Sequence, residues 1–225
     1  MSNLANRMTV KSAVETAGAV STRNSKMPGS AFALPASECK TGGKLAAVEG
    51  TVCHKCYAAK IETRYPSVRM GWAANYFKAT TMIASNPEKW ADAMAFQVRH
   101  AAGKTGQPYH RWFDSGDLQS VEMLRAIVLV CERTPEIKHW LPTREATFVR
   151  DYLRQHGEFP SNLVVRVSST KVGDIPRNAP NTSTVHRKGT VPVGHVCPAS
   201  QQGNACGDCR ACWSLAVGNV SYPLH

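Results

Sequence analysis

Apolar positions along this chain recur at two spacings, and the change from one to the other divides it. Between residues 57 and 98 they fall three or four apart, the period of a helix face. A first helix is expected over 57–64 and a longer one over 67–85, carrying Trp72, Tyr76, Phe77 and Met82. Asn86-Pro87-Glu88 then restarts the chain with a capping side chain, a proline at the first helical position and an acid in the first turn. Trp90, Met94 and Val98, flanked by Ala91 and Ala95, stripe the helix that follows. From residue 108 strands and helices alternate: strand 108–113, helix 120–133, strand 137–142, helix 145–156, then Leu-Val-Val-Arg-Val-Ser over 163–168 and a further strand near 183–187. Such alternation implies right-handed crossovers and parallel pairing. The expected fold is therefore α/β, with a parallel sheet or a partial, contracted (βα) barrel.

Two segments stand outside this pattern. Residues 1–35 are small and polar and read as an extended arm; residues 36–190 would form the α/β domain. The segment 191–225, with four cysteines among several glycines, lacks the periodicity for a core of its own. A bound metal would hold that tail against the domain.

The 225 residues, 43% of them hydrophobic, suffice for one sizeable core. No apolar run approaches the ~18 residues needed to span a bilayer, and residues 1–26 lack a secretory apolar stretch. These features place the chain in the cytoplasm, where close cysteine pairs signal metal or redox work and disulfides are disfavoured. A formal charge of +11 favours a polyanionic partner, nucleic acid first. Arg23, Lys26, Arg64, Arg69, Arg177, Arg187 and Lys188 contribute to it.

Seven of the eight cysteines form two groups. Cys206-x-x-Cys209-x-x-Cys212 has the close spacing of iron–sulfur ligands, and Cys197-Pro198 supplies a fourth thiolate. A [4Fe–4S] cluster fits this set, with zinc as the alternative. Four protein ligands saturate such a centre, so it reads as a structural staple. Cys53-His54-Lys55-Cys56 sets two thiolates on one turn, to be joined by Cys39 across 13 residues. Three thiolates on a [4Fe–4S] cluster leave one iron open to an outside ligand, which is the arrangement a catalytic centre needs. Alternatively His54, His110 or Cys131 closes the set, although Cys131, in an apolar run, reads as a core thiol.

Cys53-x-x-Cys56-Tyr57 followed by a βα series resembles the radical S-adenosylmethionine (SAM) enzymes, with a first interval of 13 residues where that superfamily usually has three. The resemblance implies that Ser115-Gly116-Asp117 stands for the Gly-Gly-Glu-type motif contacting the cofactor's amino group. On that basis Asp114 and Asp117 accept from an ammonium, Arg144 holds a carboxylate, and Ser168 or Ser169 binds a ribose or carboxylate. It further implies an external electron donor. The plainer reading has Asp114 and Asp117 capping the helix near Ser120 and Arg144 pairing with Glu145 at the surface.

Over the chain from about residue 24, Lys26-Met27-Pro28-Gly29, Cys53-x-x-Cys56-Tyr57-Ala58, Trp112-Phe113-Asp114-Ser115-Gly116-Asp117 and Cys206-x-x-Cys209-Arg210-Ala211-Cys212-Trp213 are similar to the phage gene product 88 family. That likeness implies a bacteriophage protein in the bacterial cytoplasm and brings no activity with it. The leading expectation is thus a radical-SAM-like enzyme acting on nucleic acid. Its rivals are a metal-stabilised protein that binds nucleic acid or a host protein, and a cluster-dependent sulfur-transfer enzyme without SAM.

Overall fold

A parallel sheet grows one strand at a time from the residues that alternate along 109–168, and the structure, a computed structural model, describes residues 8–22, 24–177 and 179–224 of the chain. Seven strands, β1 (Ser30–Phe32), β2 (Tyr109–Trp112), β3 (Lys138–Thr143), β4 (Leu163–Ser168), β5 (Thr182–His186), β6 (His195–Val196) and β7 (Asn219–Pro223), all pair in parallel in the order β1-β2-β3-β4-β5-β7-β6. Seven α-helices accompany them: α1 (Val10–Ala17), α2 (Lys40–Leu45), α3 (Tyr57–Arg64), α4 (Pro66–Ser85), α5 (Pro87–Thr105), α6 (Val121–Arg133) and α7 (Ala146–His156). The sheet is open, with β1 and β6 at its two ends, so the barrel expectation is not met.

Strands one to five lie in chain order, so every crossover steps the same way and the connecting helices share one face. That face carries the apolar core: Trp112, Leu141, Leu163, Val165 and Val167 from the strands meet Trp90, Met94, Val98, Leu124, Ile127 and Val149 from α5, α6 and α7. On the opposite face a row of Arg111, Trp140 and Val164 runs across β2, β3 and β4. There the tail lies, with Trp213 edge-on to Tyr109 and Trp140. All six residues of β4 are buried for this reason, and Arg166 among them is fully enclosed. Its guanidinium donates to the carbonyls of Ala211, Cys212, Ser214 and Thr182.

The segment expected to be an arm instead contributes α1 and the edge strand β1. Composition concealed both, because α1 packs through Ala13 and Ala17, whose small side chains let it lie close to α5. The Thr9 hydroxyl caps it, accepting from the Ser12 amide. Two buried amides then guide the chain from α1 to β1. Asn75 accepts from the Ala19 amide and donates to the Ala19 and Ala33 carbonyls, while Gln97 accepts from Val20 and donates to Gly18. The bridge from Ser21 to Ala31 covers the outer edge of β1. Among the described residues no helix is long and apolar enough to cross a membrane.

Two histidines lie inside the helix-side core. His139 accepts from Trp112 Nε1 at 3.2 Å and donates through Nε2 to Thr134 Oγ1 at 2.9 Å, which passes its own proton to the Val130 carbonyl. Burial lowers its pKa from 6.5 to about 3, and burial beside His139 lowers that of His110 as well. A folded-state pKa below the unfolded value means the unfolded chain takes up protons first, so stability is full above pH ~6.5 and falls as the pH drops toward the folded value. Between pH 6.5 and 4 His139 should cost about 3 kcal/mol, and His110 adds a loss of the same sign. Urea unfolding at the two pH values checks this, and His139→Gln should flatten the dependence.

Candidate active site at the carboxyl edge of the sheet

Four strand ends deliver the residues that matter. After β1 the chain enters the cysteine loop; after β2 comes Asp114-Ser115-Gly116-Asp117; after β3, Arg144-Glu145; after β4, Ser169. The carboxyl edge of a parallel sheet is where diverging loops leave room for ligands.

The cysteine loop is tied to each of these ends in turn. Leu34 donates its amide to the Ser115 carbonyl, and Asp114 returns one to Phe32. Gly116, at φ +81°, presses on Leu34 so closely that a Cβ would lie 2.6 Å from the Leu34 Cβ and 2.8 Å from its carbonyl oxygen. Thr41 gives its amide and hydroxyl to the two oxygens of Glu145, at 2.8 and 2.9 Å. Val52 donates to the Thr170 carbonyl, and Tyr57 reaches the Asp114 carbonyl at 3.4 Å. A loop expected to need metal for its order therefore has a protein framework as well.

Cys39, Cys53 and Cys56 meet in this framework. A Cβ on Gly42 would stand 3.4 Å from the Cys53 sulfur and 3.7 Å from that of Cys39, so the bare backbone of α2 forms one wall of the thiol group. Burial, and then the negative charge of Asp117, Cys53 and Cys56, pushes the Cys39 thiol up to about 12, with Arg144 opposing. Cys53 is raised by burial, again against Arg144. Clustered, desolvated thiols hold their protons unless a cation replaces them, which is the condition that metal binding exploits.

Asp117 lies at the centre of the edge. Its carboxylate accepts from Thr143 Oγ1 at 2.6 Å, the Leu118 amide at 2.8 Å and the Arg144 amide at 2.9 Å. Burial nevertheless raises its pKa to about 6, the three hydrogen bonds and the Arg144 charge working the other way. Asp117 therefore splices the ends of β2 and β3. Asp114 is differently placed: its Oδ1 is ion-paired with Arg111 at 3.3 Å, outside hydrogen-bond geometry, and the buried hydroxyl of Ser115 makes no hydrogen bond at all. The Ser115 hydroxyl thus remains to be engaged. Arg144 donates through Nε to the Ser169 carbonyl at 3.2 Å, and its charge acts on Cys39 and Cys53. The Ser168 hydroxyl is taken by Ser183.

The alternatives left open by the sequence resolve differently. Ser120, not an aspartate, caps α6. Glu145 is buried against Thr41 and forms no surface pair with Arg144. His110 faces Ser30 inside the core and Cys131 is buried in α6, so neither closes the thiol group, and His54 turns to the Ala46 carbonyl. Among the described residues no group of three or more His, Cys, Asp or Glu stands at single-ion geometry.

The tail forms the second sulfur group, on the sheet face away from the helices. Cys197 lies in electrostatic reach of Cys206, Cys209 and Cys212. His195 Nε2 is 3.4 Å from Cys209 Sγ, and the Tyr222 hydroxyl is 3.2 Å from Cys212 Sγ. Burial pushes Cys212 up to about 12, against the Tyr222 hydrogen bond and the nearby Arg166 and Arg111 charges. Arg111 stacks on Trp140 at 4.7 Å, and both its Nε and the Trp140 Nε1 are buried donors without acceptors. Sequence reading missed Arg111, Arg166, Trp140 and Tyr222; its one available signal was an arginine in the middle of an apolar strand.

The family model described as Gene product 88 matches residues 5–215 of the chain. No curated protein and no solved structure matches it.

Proposed function

The chain belongs to the gene product 88 family, and with its own residues as the guide we propose that it is an iron–sulfur enzyme of the radical SAM type. One observation carries the reading: a cysteine trio, an acidic turn with an unpartnered buried hydroxyl at Ser115 and an arginine converge at the carboxyl edge of consecutive parallel strands. Cys39, Cys53 and Cys56 would hold a [4Fe–4S] cluster with one iron open. When bound, the cluster supplies an electron to the SAM sulfonium, releasing a carbon-centred radical that takes hydrogen from a substrate.

The protein's part is positioning. The unpartnered Ser115 hydroxyl and the Asp114 carboxylate, which already balances Arg111, provide acceptors for the cofactor's ammonium, while Asp117 fixes the strand ends that carry them. Arg144, anchored on the Ser169 carbonyl, balances the negative charge of the thiolates and offers its remaining donors to a carboxylate. The tail group, with four thiolates and no open position, staples the second face of the sheet.

Protein purified without oxygen and reconstituted with iron and sulfide is expected to be brown, to bind SAM, and on reduction to release 5′-deoxyadenosine. Asp114→Asn should weaken SAM binding about tenfold, the worth of one charge-assisted contact. A colourless protein retaining only zinc, or a brown one that neither binds nor cleaves SAM, would overturn the proposal.

A further inference from the structure

The basic residues named from the sequence do not form one patch. Lys26 precedes β1 at the amino end of the sheet, Arg187 and Lys188 follow β5 at the other end, and Arg23 lies outside the described residues. Arg64 and Arg69 belong instead to a continuous surface that begins beside the cysteine trio. In α3, which starts directly after Cys56, Ala58 and Glu62 face inward, and the helical period brings Tyr57, Lys60 and Arg64 together on the outward side. Tyr65 and Arg69, exposed at the start of α4, extend this surface, and Lys55 flanks it.

This face is basic without internal compensation. Glu62, the one acid of α3, is spent on the Ser37 amide and hydroxyl. None of the ion pairs among the described residues involves Lys55, Lys60, Arg64 or Arg69. Two aromatic rings interrupt the charge: Tyr57 is 63% exposed and Tyr65 is 47% exposed, with Arg64 poised 5.7 Å from the Tyr65 ring centre. The Tyr57 hydroxyl is fixed on the Asp114 carbonyl, so its ring stands at the mouth of the proposed site. Positive charge for phosphates, alternating with fixed rings for bases, is how proteins hold unpaired strands.

We propose that the outward face of α3 and the start of α4 bind single-stranded nucleic acid, and that one of its nucleotides is what the site receives. This rests on the function proposed above. An unpaired strand is required because Cys53 is buried and a stacked, paired base cannot approach it.

The test is fluorescence anisotropy of the reconstituted protein with labelled single-stranded DNA, single-stranded RNA and duplex DNA over a salt series. Single strands should bind more tightly than duplex, with affinity falling steeply with salt. Lys60→Glu combined with Arg64→Glu should cut single-strand affinity at least tenfold and flatten the salt slope by about two phosphate contacts. Tyr57→Ala should lower single-strand affinity about tenfold and leave duplex affinity unchanged. Matching thermal unfolding curves will show that these variants fold. Equal binding of duplex and single strand, a preference for a polyglutamate peptide, or wild-type affinity in the double variant would each overturn the inference. SAM cleavage in the absence of substrate separates the two proposals: a wild-type protein that cleaves SAM but binds no single strand sinks only this one, and strand binding without cleavage by the wild-type protein sinks the enzyme reading.

Discussion

Arg166→Met is expected to destabilise the protein by about 3–5 kcal/mol, the largest loss of any single side chain on the tail side of the sheet. The guanidinium donates to four carbonyls, three of them in the turn that carries Cys212. Methionine fills much of the volume but leaves those oxygens buried without donors, each worth about 1–3 kcal/mol. Part is recovered because a charge no longer has to be desolvated, the same burial that lowers the pKa of Arg166. Arg166→Lys should recover little, since one ammonium cannot reproduce a planar fork serving separate carbonyls. Urea unfolding measures the loss, and Cys212 should react much faster with a thiol reagent in the variant. A change below about 1 kcal/mol would show that the guanidinium does not hold the tail.

Cys53→Ala is expected to abolish 5′-deoxyadenosine formation and to remove roughly half of the bound iron, with only a small change in stability. The loop keeps its order without metal through Thr41 on Glu145, Val52 on Thr170 and Gly116 on Leu34, so losing a thiolate there empties a site without unfolding a domain. Cys212→Ala should do the opposite, lowering stability while leaving some SAM cleavage, because that thiolate is buried beside Tyr222 and Arg166. Loading of the trio should also be acid-sensitive. Cys39, pushed up to about 12, must give up its proton to bind, so apparent metal affinity falls as the pH is lowered. Equal iron content in wild type and Cys53→Ala, by metal analysis and EPR, would remove the trio from any catalytic role.

What could be read in advance followed from local rules. The strands from β2 to β5 and the helices from α3 to α7 announce themselves because spacing, capping and turn residues act over a few neighbours. The cysteine groups were equally plain, since Cys53 and Cys56, and Cys206, Cys209 and Cys212, are each separated by two residues. The Gene product 88 likeness was carried by these same segments, and the family match extends across nearly the whole chain. Less visible were α1 and β1, built from alanine and serine, whose burial depends on Asn75 and Gln97 supplied from elsewhere in the chain.

By itself the sequence determined the α/β class, the parallel direction of the strands and the grouping of the cysteines, because each follows from patterns among residues close in the chain. Only the tertiary structure decided that the sheet stays open, that the tail lies on its second face, and that Asp117 joins two strand ends while Asp114 pairs with Arg111. Those outcomes depend on which distant groups share one buried volume, and on which donors and acceptors are used up there. Hydrogen bonds such as Arg166 to Ala211 or Thr41 to Glu145 span 45 and 104 residues of chain, and no local pattern encodes them.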